Sequence, residues 1–372
     1  MSLQETSARH IIPWAKPVFA GREKEYVEDA FVSTRISGGH YIERFEREFA
    51  AFCGSPHGLA VSSGTSALYL ALRALGLGPG DEVIVPGFTF VAPVNMILET
   101  GATPVYADVD PLTWCLDPVS AGGKVTRRTK AILPVHLYGN VCHMQGLLDL
   151  ARSKNLCVVE DAAQAAFSSC QGRYAGTWGD MGCFSFHATK TIFMGEGGGV
   201  LTPNRSYYEK MLVLRDHGMR KDKRYWHDVR GYNFRLTNLQ AAVGCAQLEN
   251  VERIIHCRRK VYEWYCQYLN VIEGVTLQVF RPEVTPVVWT MAVRVDPRYF
   301  KGDRDFMMKA LGRAGIETRP GFYPVSAMEL YQASPLPVAE EIAARIICLP
   351  FYSDLSEEQI VLICEEIKKI RA

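Results

Sequence analysis

The sequence predicts an α/β protein with a large domain over residues 1–250 and a smaller α+β C-terminal domain over 251–372. The large domain is expected to hold a mostly parallel sheet flanked by helices. Two observations carry this expectation. Short apolar runs alternate with helix-length segments over the first two-thirds of the chain, as strands of a parallel sheet alternate with their crossover helices. The pattern then changes near Leu248, where a long charged helix opens a region of mixed strands and helices. The chain has 372 residues and is 48% hydrophobic, enough for one large core and a smaller one.

The elements follow in order. Leu59-Ala-Val61 reads as a strand. Gly64-Thr-Ser66 opens a helix through Ala67 to Leu75, and the glycines and proline of residues 76–80 end it. Glu82–Pro86 reads as a buried strand. Thr103–Ala107, Lys130–Val135 and Leu156–Glu160 follow as further strands, each separated by a helix-length segment. Cys183–Val200 begins as an apolar, strand-like run, is interrupted by Lys190 and closes on glycines. After the helix predicted from Glu249 to Tyr268, Val275–Val279 and Val287–Val295 read as strands of the smaller domain.

Composition narrows the function classes. The formal net charge is +1, which gives no electrostatic footprint for nucleic acid. No apolar stretch reaches the length of a membrane span, and the first ten residues lack a signal-peptide core. The eleven cysteines are scattered through apolar segments without paired metal spacing. That usage suits a reducing cytoplasm and predicts no metal site.

Lys190 is the most informative residue. A lysine in apolar surroundings is costly unless it is neutral, paired or covalently engaged. Burial lowers its pKa and makes it a nucleophile able to form a Schiff base; a lysine in a surface loop is the ordinary alternative. Asp161 closes the apolar run Val158-Val-Glu160, at the end of a strand where α/β sheets carry their sites. It reads either as the acid that keeps a pyridinium nitrogen protonated or as a helix cap. Gln164 lies roughly one helical turn on, within reach of the same ring. Together the amine and the acid are what a pyridoxal 5'-phosphate enzyme must supply.

The remaining signals complete that set. Ser63-Gly64-Thr65-Ser66 joins a strand to a helix start, which makes it a phosphate cradle or a plain N-cap. Phe90, after the strand ending at Pro86, is placed to lie flat on a cofactor ring or to pack in the core. Ser185 precedes Lys190 closely enough to reach a phosphate. Asn233 and Arg235 end a polar segment beginning near His217, and either reach a phosphate or cap the helix at Thr237 or Asn238.

These stretches, taken in order, resemble the DegT/DnrJ/StrS sugar aminotransferases, a family of fold-type-I pyridoxal phosphate enzymes. The resemblance runs from Ile36-Ser-Gly-Gly through Cys348-Leu-Pro, and includes Pro134-Val-His-Leu-Tyr-Gly139, Glu160-Asp-Ala-Ala-Gln164 and Tyr232-Asn-Phe-Arg-Leu-Thr-Asn238. It implies a seven-stranded-type sheet, Lys190 as the Schiff-base lysine and proton carrier, and Asp161 on the pyridine nitrogen. It also implies Gln164 on the ring hydroxyl, Phe90 stacked on the ring, and Gly64, Thr65, Ser66 and Ser185 on the phosphate. Asn233 is implied to reach the phosphate of a neighbouring subunit in a homodimer with shared active sites.

The implied reaction moves an amino group from L-glutamate to a nucleotide-linked keto sugar in two half-reactions, with Arg319 and Tyr323 as candidate substrate contacts. A fork-shaped guanidinium suits a diphosphate, and a surface arginine is the alternative. Tyr225–Asp228 and Glu317–Pro320 are similar to the perosamine synthase-like branch, which aminates a GDP-linked 4-keto-6-deoxymannose. His187–Lys190 is more similar to branches forming 4-amino sugars on a dTDP carrier. Amination of a 3-keto sugar is the alternative within the family. Many relatives carry a histidine where this chain has Ser326. A fold-type-I lyase of the cysteine desulfurase kind ranks low, because no cysteine sits in an evident basic, exposed loop. A non-catalytic cofactor-binding regulator is the rival outside enzymology.

Overall fold

The computed structural model describes residues 11–19 and 21–372. Seven strands form the central sheet, in the spatial order His57–Val61, Gly198–Thr202, Met181–Ser185, Cys157–Asp161, Thr129–Ile132, Glu82–Pro86, Thr103–Ala107. All neighbouring pairs are parallel except the two made by Gly198–Thr202, which runs antiparallel to both of its neighbours. The expected α/β architecture with a mostly parallel sheet is therefore present. Strand Glu82–Pro86 is buried along its whole length, as a strand covered by helices on both faces must be.

A four-stranded sheet, ordered Val275–Leu277, Met291–Val295, Ile346–Leu349, Arg319–Pro320, organises the C-terminal region. The buried residues form two apolar clusters, one around each sheet. The helix Val251–Leu269 serves both: Val251 and Ile254 pack into the first cluster, Val261, Tyr265 and Leu269 into the second. Ile12 also belongs to the second cluster and bridges to Ile316. We propose the division at residue 250 on this basis, with the N-terminal segment around Ile12 lying on the C-terminal body.

Two expected elements are shorter than the sequence suggests. The strand leading toward Lys190 stops at Ser185. Beyond it the chain closes on itself: Phe186 N–H donates to Gly197 O, Ala188 N–H to Gly195 O and Met194 N–H to Phe186 O. Lys190 thus sits at the tip of a tight loop rather than in a strand. The run Val287–Val295 is a strand only over Met291–Val295. Its first four residues lie outside the ladder, and other partners claim backbone groups of three of them: Ser168 Oγ for Val287 N–H, Tyr138 O for Trp289 N–H and Arg258 for the Val288 and Trp289 carbonyls.

No described helix is long and apolar enough to cross a membrane. All eleven cysteines are free thiols.

Candidate active site

The ends of three parallel strands and the Phe186–Gly197 loop enclose a cavity of about 610 Å³. Lys190, Gly64, Thr65, Phe90, Asp161, Gln164, Ser185, Arg319 and Tyr323 all line it. Ser66 and Asn233 do not.

The anion turn explains why Ser66 is absent. Helix Gly64–Leu75 is capped by Ser63, whose Oγ accepts from Ser66 N–H at 3.1 Å, while Ser66 Oγ accepts from Ser63 N–H at 2.9 Å. Ser66 Oγ also lies 2.8 Å from Ser63 O, to which it donates. This reciprocal capping box uses up the Ser66 hydroxyl inside the turn. In this structure the Ser66 hydroxyl caps the helix and Ser66 does not line the cavity. Gly64 and Thr65 remain, with first-turn N–H groups that have no carbonyl one turn before them, and Ser63 lines the cavity in Ser66's place.

Two glycines make this cradle possible. A Cβ on Gly64 would come within 2.8 Å of Ser185 Cβ, and one on Gly198 within 2.3 Å of the Ser63 carbonyl. Gly198→Ala is expected to push the turn out of place, weaken cofactor retention and lower stability by about 1–3 kcal/mol. Thermal unfolding and a cofactor titration check this. Unchanged cofactor affinity would show that the turn does not carry the anion.

Strand alternation separates the two adjacent acids. Glu160 is fully enclosed and saturated: His136 Nε2 donates to it at 2.9 Å, as do the backbone N–H groups of Gly176, Trp178 and Gly179 at 2.9, 2.6 and 2.6 Å. The histidine tautomer follows from Cys142 N–H, which donates to His136 Nδ1 and leaves the proton on Nε2. Asp161 faces the cavity instead. Its Oδ1 accepts from Ala163 N–H at 2.9 Å. Burial pushes its carboxyl above the ordinary range, against the opposing effects of that N–H and of the charge on Lys190. An acid held this way gains by meeting a cationic ring nitrogen.

The Lys190 amine is pulled down to about 8 by burial, with Asp161 acting the other way. Its Nζ lies 3.7 Å from the centroid of the Trp289 indole. Gln164 Oε1 accepts from Tyr138 N–H at 3.1 Å, so only its amide nitrogen is left to face a ligand. That bond steadies Tyr138, which holds the left-handed backbone conformation at φ 59°. Phe90 is 53% exposed although it sits at the cavity, so its ring face is open to a ligand. Arg319 is engaged by Glu317 at 2.5 Å and lies over the Trp14 ring. Tyr323 is exposed at the cavity, with the Arg304 guanidinium over its ring.

Asn233 lines a separate pocket with Ser37, Gly38, Arg215 and Arg235. Ser326 donates to Glu340 Oε1 at 2.6 Å and does not line the cavity. Sequence reasoning missed Trp14, Tyr138 and Trp289. The one available signal for Trp289 was the length of its apolar run, longer than a typical strand of about five to six residues.

The donor set fits pyridoxal phosphate. A narrow glycine cradle at a helix start suits the phosphate, a buried acid the ring nitrogen, an open aromatic face the ring and a partly neutral amine the aldehyde. Among the described residues, no group of three or more His, Cys, Asp or Glu side chains is placed to hold a metal ion.

Comparison with known proteins agrees. The model of the DegT/DnrJ/EryC1/StrS aminotransferase family matches residues 18–368. The chain is 42% identical over 361 residues to GDP-perosamine synthase of Escherichia coli O157:H7, covering 96% of this chain and 98% of that one. It is 37% identical over 370 residues to a UDP-N-acetyl-3-dehydro-alpha-D-glucosamine 3-aminotransferase of Acidithiobacillus ferrooxidans, covering 97% and 95%. Among solved structures, the PLP form of the putative sugar aminotransferase Spr1654 from Streptococcus pneumoniae superposes with a TM-score of 0.92 at 27% identity, covering 97% and 98% of the two chains.

Proposed function

The chain belongs to the DegT/DnrJ/EryC1/StrS aminotransferase family and is a pyridoxal phosphate-dependent aminotransferase; on that premise we propose that it moves an amino group from L-glutamate to a nucleotide-linked keto sugar, with a GDP-linked 4-keto-6-deoxyhexose the favoured acceptor. The observation that carries this reading is the convergence of Lys190, Asp161 and the Ser63–Thr65 turn on one cavity. The identity to GDP-perosamine synthase over nearly the full length of both chains supports the carrier and the position of amination. The relative acting at carbon 3 of a UDP sugar favours a second reading, amination of a 3-keto sugar.

The roles follow from the geometry. The cofactor, when bound, supplies the carbonyl that carries the amino group and the electron sink for the substrate carbanion. Gly64, Thr65 and Ser185 would hold its phosphate, Phe90 would cover its ring and Gln164 would meet the ring hydroxyl. Asp161 keeps the ring nitrogen protonated. Lys190 Nζ takes the proton from the donor's α-carbon and returns it, as a general base and then a general acid. With its pKa near 8, roughly a tenth of the free amine is neutral at pH 7, and the fraction rises steeply above that. Arg319 and Tyr323 receive the diphosphate or sugar at the cavity mouth. The atoms balance across both halves: glutamate leaves as 2-oxoglutarate, whose keto oxygen comes from one water, and the sugar carbonyl oxygen leaves as another.

A homodimer with shared sites belongs to the same proposal. Asn233 lies outside this chain's own cavity, which suits a residue that serves a partner's phosphate. The free thiols favour the cytoplasm as the working compartment.

The test is a coupled screen with glutamate and a panel of GDP-, dTDP- and UDP-linked 4-keto and 3-keto sugars, reading 2-oxoglutarate release and the cofactor spectrum together. Turnover with GDP-linked 4-keto-6-deoxymannose is the expected result. Turnover only with a 3-keto sugar would move the assignment to the second reading. A cofactor spectrum that responds to no amino donor would remove the transaminase reading.

A further inference from the structure

Trp289 is the aromatic wall against Lys190, and its polar groups are all engaged. Its N–H donates to Tyr138 O at 3.1 Å. Its carbonyl accepts from Arg258 Nη2 at 2.6 Å, and the preceding carbonyl of Val288 from Arg258 Nε at 3.1 Å. The indole Nε1–H donates to Thr189 O at 2.9 Å, the carbonyl next to the reactive lysine. Trp14 closes the far side edge-on, with ring centroids 5.7 Å apart.

Arg258 deepens the puzzle. It is buried, its guanidinium serves these two main-chain carbonyls, and burial pulls it down to about 9. A buried arginine is expensive to keep. Here it fixes two residues, Val288 and Trp289, that the C-terminal sheet does not claim.

We propose that Trp289 is a positioning residue for the reacting amine, its indole face holding the Lys190 ammonium at the cavity wall while Arg258 holds the indole in place. An ammonium over an indole face is attracted by the ring quadrupole, more strongly when water is excluded. The contact is weak enough to release the amine once it is neutral, which suits a group that must attach, detach and carry protons. The titratable groups around Lys190 are His187 and Glu196 on its own loop, Asp161 at the end of its strand, and Tyr138, Arg319, Tyr323 and Cys348 on the cavity wall. Of these, Asp161 is the one whose charge acts on the amine.

The proposal rests on Lys190 being the reacting amine. Its readout uses no sugar, so failure of a keto sugar to react and failure of the indole to act on the amine are separate results. The experiment is competitive labelling of Lys190 in the full-length chain freed of cofactor, with trace acetic anhydride across the lysine titration and mass spectrometry of the Lys190 peptide. Wild type is compared with Trp289→Phe, which keeps an aromatic face, and Trp289→Met, which fills space without one.

The expected result is a midpoint lower by about one pH unit in Trp289→Met and a smaller displacement in Trp289→Phe. A structural role alone would lower the stability of both variants without separating their midpoints. Coincident midpoints in all three proteins, or a higher one in Trp289→Met, would overturn the proposal. Should Trp289→Met not fold, tryptophan emission decides. A pH-dependent step near the Lys190 titration is expected in the wild type and not in Lys190→Ala. An identical titration in the two proteins overturns the proposal.

Discussion

Lys190→Ala is expected to abolish transamination while leaving the fold intact. Removing the proton carrier alone should cost about 10²–10⁴-fold in rate. The cofactor also loses its covalent tether, so it should wash out on gel filtration and leave without the visible-edge absorbance of the tethered form. Stability should move differently. The lysine amine is depressed from 10.5 to about 8 in the folded chain, chiefly by burial. Below pH 8 it is protonated in both the folded and unfolded chain, and the folded one bears the cost of a poorly solvated cation. Between about pH 8 and 10.5 the unfolded chain binds more protons, so wild-type stability rises with pH through that window. Lys190→Ala lacks this rise. Thermal unfolding of the cofactor-free proteins at several pH values checks it. A variant that keeps full activity, or wild-type and variant curves that run parallel across the window, would contradict the assignment.

Most of the fold was legible because its signals are local and repeated. The strand Glu82–Pro86 and the helix from Gly64 to Leu75 have the bounds their apolar runs and breakers suggest. Asp161 and Gln164 were legible as site candidates because a strand end in a parallel sheet is a place for chemistry. The failures have two causes: a local group with two equally available partners, and a deciding partner far away in sequence. The Ser66 hydroxyl, equally able to cap or to bind, is settled by a reciprocal bond with Ser63. Lys190 leaves the expected strand because Phe186–Gly197 closes into its own hydrogen-bonded loop. Trp289 reads as strand core until Tyr138, Ser168 and Arg258 are seen to take the backbone groups of its segment. Of two adjacent acids, only the three-dimensional arrangement of His136 and the backbone around residue 176 shows that Glu160 is already satisfied.

Asp161→Asn should separate chemistry from stability most cleanly. Asparagine keeps the size of the side chain and an oxygen to accept from Ala163 N–H, so the local backbone should hold. What it removes is the negative charge that makes a protonated ring nitrogen favourable in a poorly solvated site. Removing one member of a buried, hydrogen-bonded charge pair costs about 2–5 kcal/mol, so the glutamate half-reaction should slow by roughly 30- to 5000-fold. Single-turnover absorbance with excess glutamate measures this directly.

Stability should respond in the opposite sense. Burial raises the Asp161 carboxyl above its ordinary range in the cofactor-free chain. Its contribution is therefore fully present below the unfolded carboxyl pKa and is lost as pH rises through the folded value. The neutral amide escapes that loss, so cofactor-free Asp161→Asn should be no less stable than wild type at neutral pH. A slow but well-folded variant would mark Asp161 as a residue kept for reactivity at some expense of stability. A variant with an undiminished half-reaction would show that the ring nitrogen does not depend on this carboxylate.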